Sequence, residues 1–110
     1  MNPANLFSSI PDQLPDELVD LLEDKGQVRI ERIVSRGHAS PPGFWYDQQQ
    51  DEFVLLLQGE AELELLDPEE HLRLQAGDYL LIPARRKHRV TWTSSEVDCI
   101  WLAVFYHEQE

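Results

Sequence analysis

Hydrophobic and polar positions divide this chain at residue 27 into two regimes. From Glu60 to Leu65 the alternation is strict, with acids at Glu60, Glu62 and Glu64 and small or aliphatic side chains at Ala61, Leu63 and Leu65. A period of two sends successive side chains to opposite faces, so this run predicts a strand with aliphatics inward and acids outward. Similar runs predict strands over Val28–Ser35, Phe44–Asp47, Glu52–Gln58, His71–Gln75, Tyr79–Ile82, His88–Thr93 and Val97–Tyr106. Between them lie turn signals: the Pro- and Gly-rich loop from Gly37 to Gly43, Gln48-Gln49-Gln50-Asp51, Gly59, Asp67-Pro68, Gly77-Asp78 and Ser94-Ser95. Short strands at such close spacing point to an all-β barrel or sandwich.

The first 26 residues read differently. Residues 1–14 are rich in Pro, Asn and Ser and predict an extended, turn-rich arm. Pro15-Asp16-Glu17 has the look of a helix start, and Leu14, Leu18, Leu21 and Leu22 recur at helical spacing, with Gly26 as the stop. The expectation is a single domain: an arm and short helix over 1–26 packed on a β-barrel over 27–110.

Composition narrows the function classes. Apolar residues make up 42% and charged residues 27% of 110 residues, ordinary values for a globular protein. No apolar run is long enough to span a bilayer, and the amino terminus lacks the basic-then-apolar pattern of a signal peptide, so a cytoplasmic location is expected. A net charge of −12 opposes the phosphate backbone, so neither nucleic acid nor membrane is an expected partner. The single cysteine, Cys99, sits in the strand-like run Val97–Leu102 and reads as a buried, inert thiol.

The chemistry-bearing residues form two groups. Gly77, Pro83 and His88 bracket an apolar strand and a basic loop, and Glu52 heads another strand that ends at Gly59. In this pattern the chain resembles a small single-domain cupin, of the cupin-2 type in the RmlC-like superfamily. That family's second motif runs glycine, five residues, proline, one residue, glycine, two residues, histidine. Gly77, Pro83 and His88 match it, and Arg85 stands at the second glycine. Its first motif is a histidine pair, then glutamate, six residues and glycine. Glu52 and Gly59 match; Tyr46 and Gln48 fall where the paired histidines belong, or Trp45 and Asp47 if the gap is one longer, so the first motif is degenerate.

The resemblance implies a double-stranded β-helix, that is, a jelly-roll barrel, and a pocket in which the motif residues bind one divalent ion such as Fe, Mn, Ni or Zn. On that reading the metal candidates are Glu52, His88 and Gln48, with Asp47 or His38 as stand-ins. Catalytic metal sites use three protein ligands and an open position, a count this motif does not reach with histidines. The residues equally support a polar pocket without metal, in which Glu52 and His88 could act as an acid–base pair beside Tyr46 and Gln48. Arg85, Arg86, Lys87 and Arg89 place a basic rim around His88 on an otherwise acidic chain, and Arg85 and Arg86 are the expected contacts for an anionic ligand. The function expected is binding of a small anionic organic molecule, assisted or not by the metal. A metal-dependent oxygenase or isomerase is the alternative, and a non-catalytic sensor or assembly module a second. Apolar sheet surface left over from so small a barrel leads us to expect a homodimer.

Overall fold

A computed structural model describes residues 1–107. Eight strands make up its regular structure: β1 Leu18–Lys25, β2 Val28–Ser35, β3 Asp51–Gln58, β4 Glu60–Leu65, β5 Glu70–Gln75, β6 Tyr79–Ile82, β7 His88–Thr93 and β8 Cys99–Tyr106. They form a five-stranded sheet in the order β1-β2-β8-β3-β6 and a three-stranded sheet in the order β5-β4-β7. Every pairing is antiparallel. The two sheets face each other in the all-β jelly-roll arrangement that the strand pattern and the motifs imply. No helix among the described residues is long and apolar enough to cross a membrane.

Alternation builds the core. Ala61, Leu63 and Leu65 of β4 turn inward and are buried, and their glutamate neighbours stay outside, where Arg73 bonds Glu60 and Glu62. Leu56, Leu74, Trp101 and Ala103 fill the space between the sheets. Burying a leucine of this kind is worth roughly 1.5–3 kcal/mol, so this cluster supplies much of the stability. Cys99 is buried with it, and burial pushes its thiol above the ordinary range, consistent with an inert role.

The expected amino-terminal helix is absent. Leu18–Lys25 is an edge strand that pairs with β2 from Leu18↔Val34 to Lys25↔Val28. The leucine spacing that imitates a helix arises from an irregularity between Leu21 and Glu23: Leu22 is an extra residue in the ladder, so apolar positions fall three and four apart on a strand. Gly26, at a φ of +58°, closes the hairpin in a conformation open to glycine, so it turns the chain rather than stopping a helix. The arm before β1 is fastened by arginines. Arg32 donates to the carbonyls of Leu6 and Ser8 and to Asp20, and Arg36 donates to the carbonyl of Asp12 and to Asp98.

Phe44–Asp47 also differs from expectation. It forms only an isolated bridge, Tyr46 to His88, within a long loop that runs beside β7. Ser40 and Tyr46 donate their amides to the carbonyls of Val90 and His88. This loop therefore extends the smaller sheet past β7 and brings Tyr46 and Gln48 to the barrel mouth.

Candidate functional site

Two strand beginnings and one loop converge on a cavity of about 230 Å³ between the sheets. On β3 the inward phase takes Glu52 and Val54, and on β7 it starts with His88. Both polar side chains are almost entirely buried, Glu52 at 7% and His88 at 5% exposure. Asp51 anchors the head of β3 by accepting from the amide of Ala84, and the amide of Arg85 donates to the carbonyl of Gln48 at 2.7 Å. The loop after β6 is thereby zipped to the loop before β3, which sets Gln48, Glu52 and His88 side by side.

Their contacts define a small network. The Nε2 of Gln48 donates to the Oε1 of Glu52 at 2.9 Å. The same oxygen lies 3.4 Å from the Nε2 of His88. The Nδ1 of His88 is 2.9 Å from the carbonyl of Arg86, an acceptor only, so Nδ1 carries a proton and donates. That leaves Nε2 to face Glu52 and the cavity. Tyr46 stacks on the imidazole with ring centroids 5.3 Å apart and planes 24° apart.

Electrostatics follow from this geometry. Burial disfavours imidazolium, but the Glu52 carboxylate and the Arg86 carbonyl together outweigh it, and the His88 pKa is raised above its ordinary value. The Tyr46 phenol is raised as well, first by burial and then by the charges of Glu17, Glu52 and Glu31.

Sequence reasoning missed the far wall. Arg29, Glu31 and Ile33 of β2, Glu17 and Val19 ahead of and on β1, and Trp101 and Phe105 of β8 complete the lining. The guanidinium of Arg29 lies 4.3 Å from the Phe105 ring centroid, and its Nε is buried 3.2 Å from Glu31 but in hydrogen-bonding geometry with no partner. Register explains the meeting: Arg29 pairs with Phe105, and Phe105 with Glu52, so the three form one inward row across β2, β8 and β3. The only signal in the sequence is the alternation of Val28-Arg29-Ile30-Glu31, which is inverted here. Its charged positions face the cavity and its aliphatic positions face out.

Other sequence candidates lie elsewhere. Asp47 is off the cavity wall and pairs with Arg85 at 3.4 Å. Arg86 turns away, donating to the carbonyls of Leu66 and Pro68 and to Glu70. Neither Arg85 nor Arg86 lines the cavity. Arg85 does keep the backbone shape of the glycine it replaces, at a φ of +67°. His38 accepts from the amide of Arg36 and faces the carbonyl of Pro15, also outside the cavity.

The donor set fits a metal in part. Two ligands of one first-row ion, each about 2.1 Å from it, would stand about as far apart as Glu52 and His88 do. His88 has the tautomer that ligation needs, with its other nitrogen donating to a carbonyl. Gln48 could offer its amide oxygen only by giving up its bond to Glu52. Among the described residues the one cluster of three ligand-type side chains within 4.8 Å is Glu64, Glu69 and His71, at the β4–β5 end of the small sheet, away from the cavity. The barrel therefore provides two good protein ligands where catalytic centres use three.

Comparison with known proteins follows the same lines. Residues 32–105 match the family described as Cupin domain. A crystal structure of a candidate mannose-6-phosphate isomerase from Ralstonia eutropha JMP134 is 41% identical, with a TM-score of 0.92 over 98% of this chain and 100% of that one. A cupin superfamily protein from Desulfitobacterium hafniense DCB-2 is 21% identical, with a TM-score of 0.78 over 97% of this chain and 92% of the other. KdgF from Halomonas sp. is 20% identical, with a TM-score of 0.70 over 90% and 87% of the two chains. The last two show the shared fold alone. No curated protein matches the chain.

Proposed function

This chain belongs to the cupin family, and from that premise we propose that its barrel binds a small organic molecule carrying one anionic group. The observation that carries this reading is the buried Glu52–His88 pair, flanked by Gln48 and Tyr46, on the wall of a cavity of about 230 Å³. A buried carboxylate and imidazole that keep free faces toward a cavity serve a ligand's hydroxyl or carbonyl, since each can donate or accept with its proton state. The cavity is smaller than drug-sized pockets, which begin near 300 Å³, so a ligand on the scale of one sugar or short acid fits it.

Arg29 is the group that meets the anion. The basic loop supported that role in sequence, but Arg85 and Arg86 are off the wall, whereas the Arg29 guanidinium is on it, with its Nε 3.2 Å from Glu31 and in no hydrogen bond. Glu17, Glu31 and Glu52 share the same lining, so a single anionic group is all this wall accommodates. The 41% identical relative is named for a sugar phosphate, a molecule of this class.

The test is calorimetric titration of sugar phosphates and hydroxy acids against their neutral counterparts. Anionic members should bind more tightly, and Arg29→Met should weaken them by about 10- to 100-fold, the worth of a hydrogen bond to a charged group. Equal affinity for charged and neutral members would sink the reading.

The tautomer of His88 favours one second reading, in which a metal joins Glu52 and His88 and the protein is a metal-dependent enzyme. We expect purified protein to hold well below one metal per chain by mass spectrometry, because two protein ligands retain a first-row ion weakly. Near-stoichiometric metal that vanishes in His88→Ala would establish the enzyme reading instead.

A further inference from the structure

We propose that the ligand of the barrel is a zwitterion: besides the anionic group that meets Arg29, it carries an ammonium group seated between Glu31 and Glu17. This rests on the binding reading above and adds to it the second charge that the wall requires. Three carboxylates, Glu17, Glu31 and Glu52, line the cavity against one guanidinium, Arg29, and one imidazole, His88. With His88 charged the wall carries one negative charge in excess, and with His88 neutral it carries two. An anion alone would deepen that excess between two packed sheets, where water screens charges poorly. A ligand that brings its own cation removes it.

The three carboxylates differ in what they already hold. Glu52 accepts from Gln48 and faces His88. Glu31 has Arg29 as its neighbouring cation, but at 3.2 Å the Arg29 Nε is not in hydrogen-bonding geometry, so the guanidinium is close to Glu31 without being bonded through that atom. Once Arg29 turns to a ligand's anion, Glu31 is left without a counter-charge. Glu17 accepts the hydroxyl of Ser35 at 2.7 Å and forms no ion pair among the described residues. It has acceptor capacity left over, because a carboxylate offers about four lone-pair sites.

Position along β2 sets the order of the two subsites. Arg29 and Glu31 point inward two residues apart, about 7 Å along the strand, and Glu17 is tied to Ser35 at the far end of the same strand. Anion and ammonium are therefore received at neighbouring places, a spacing that one sugar ring or a short amino acid spans. The carboxylates also converge: burial first, and then the charges of Glu17, Glu52 and Glu31, hold the Tyr46 phenol above its ordinary value. An ammonium suits this corner better than a hydroxyl does. It has three donors and no acceptor, which matches groups that only accept, and it cancels charge. The aromatic faces of Trp101 and Phe105 on the same wall favour a cation as well.

Calorimetric titration of matched pairs tests this, near neutral pH and with a chelator present so that no metal ion stands in for the amine. The pairs are serine with glycerate, and glucosamine 6-phosphate with glucose 6-phosphate; each differs only in an ammonium for a hydroxyl, and the two pairs tell an amino acid from an amino sugar. In one pair the amine should bind about tenfold tighter or more, the worth of a hydrogen bond to a charged group. Glu31→Gln and Glu17→Gln should each abolish that preference. Glu31→Gln should also tighten the hydroxyl member severalfold, because Arg29 then answers to the anion alone, a gain that mere damage to the fold would not give. Should Glu31→Gln lose its far-ultraviolet spectrum, Glu17→Gln, which lies ahead of β1, carries the test. Equal affinity within both pairs overturns the proposal, and so does a preference that persists in the folded variants or a failure of all four to bind. Glucose separates the two readings: if glucose 6-phosphate outbinds it while the pairs are equal, the anion reading stands and the ammonium subsite alone falls.

Discussion

Gly59→Ala is expected to lower the melting temperature by about 15 °C or more. Gly59 makes the turn from β3 into β4 at a φ of +93°, where an L side chain is strained by about 1–2 kcal/mol or more. Space makes it worse. A Cβ there would stand 2.7 Å from the Sγ of Cys99 and 3.0 Å from its Cα, and the second atom is backbone that cannot step aside. Overpacking of this kind adds about 1–3 kcal/mol. Together these remove a large share of the roughly 5–15 kcal/mol that holds a small domain, at about 4–8 °C per kcal/mol. Gly77 is the control. Its φ is +96°, but a Cβ would meet nothing within 4 Å, so Gly77→Ala should show the backbone cost alone. Thermal melts followed by circular dichroism compare the two. Equal losses would mean that the approach to Cys99 is not the constraint.

Glu52→Gln is expected to reverse the direction in which His88 titrates. In the wild type the largest influence on His88 is burial, which disfavours the charged ring, yet Glu52 and the Arg86 carbonyl raise its pKa above 6.5. A pKa raised on folding means stability that is fully present below the unfolded value near 6.5 and fades as pH rises through the folded value. Without the carboxylate, burial outweighs the remaining carbonyl, so the pKa falls below 6.5 and charging the ring then opposes folding. The wild-type advantage over Glu52→Gln should therefore be greatest on the acid side and shrink as pH rises above 6.5. Imidazole proton or carbon shifts measured against pH by NMR report the sign for each protein. A His88 that titrates at the same pH in both would show that the pair is not coupled. Glu52→Ala is the harsher variant. Removing one partner of a buried pair costs about 3–5 kcal/mol, here on the acid side where His88 is charged. Both Glu52 and His88 are buried deeply enough for that range to apply.

These two expectations rest on residues that the sequence itself singled out. Gly59, Glu52, Gly77, Pro83 and His88 stand at motif spacings, and β-branched, apolar or alternating runs between turn signals located β2, β4, β6 and β7 to the residue. Such features are legible because they are local: a turn needs its glycine wherever it occurs, and a strand half-buried on one face writes period two into its own residues. Phe44–Asp47 departs from its local pattern for a related reason. Its aromatic residues suit a strand, but only Tyr46 finds a ladder partner.

What the sequence determined by itself, then, is an all-β chain with Glu52 and His88 at two strand heads and Tyr46 and Gln48 at the positions beside them. Tertiary structure decided the rest. Leu18–Lys25 became a strand because the edge of β2 offered it a hydrogen-bonded ladder and a bulge absorbed Leu22, and no local pattern announces either. The phase of β2 was equally invisible. Where aliphatics alternate with charges, as over Val28, Arg29, Ile30 and Glu31, the local pattern assigns the charges to solvent, but here Arg29 and Glu31 look into the cavity and Val28 and Ile30 look out. That choice placed Arg29 within one row of Glu52, although 23 positions separate them in the chain. It depends on β8 lying between β2 and β3, and strand order is a property of the whole chain's packing, not of any segment that takes part in it.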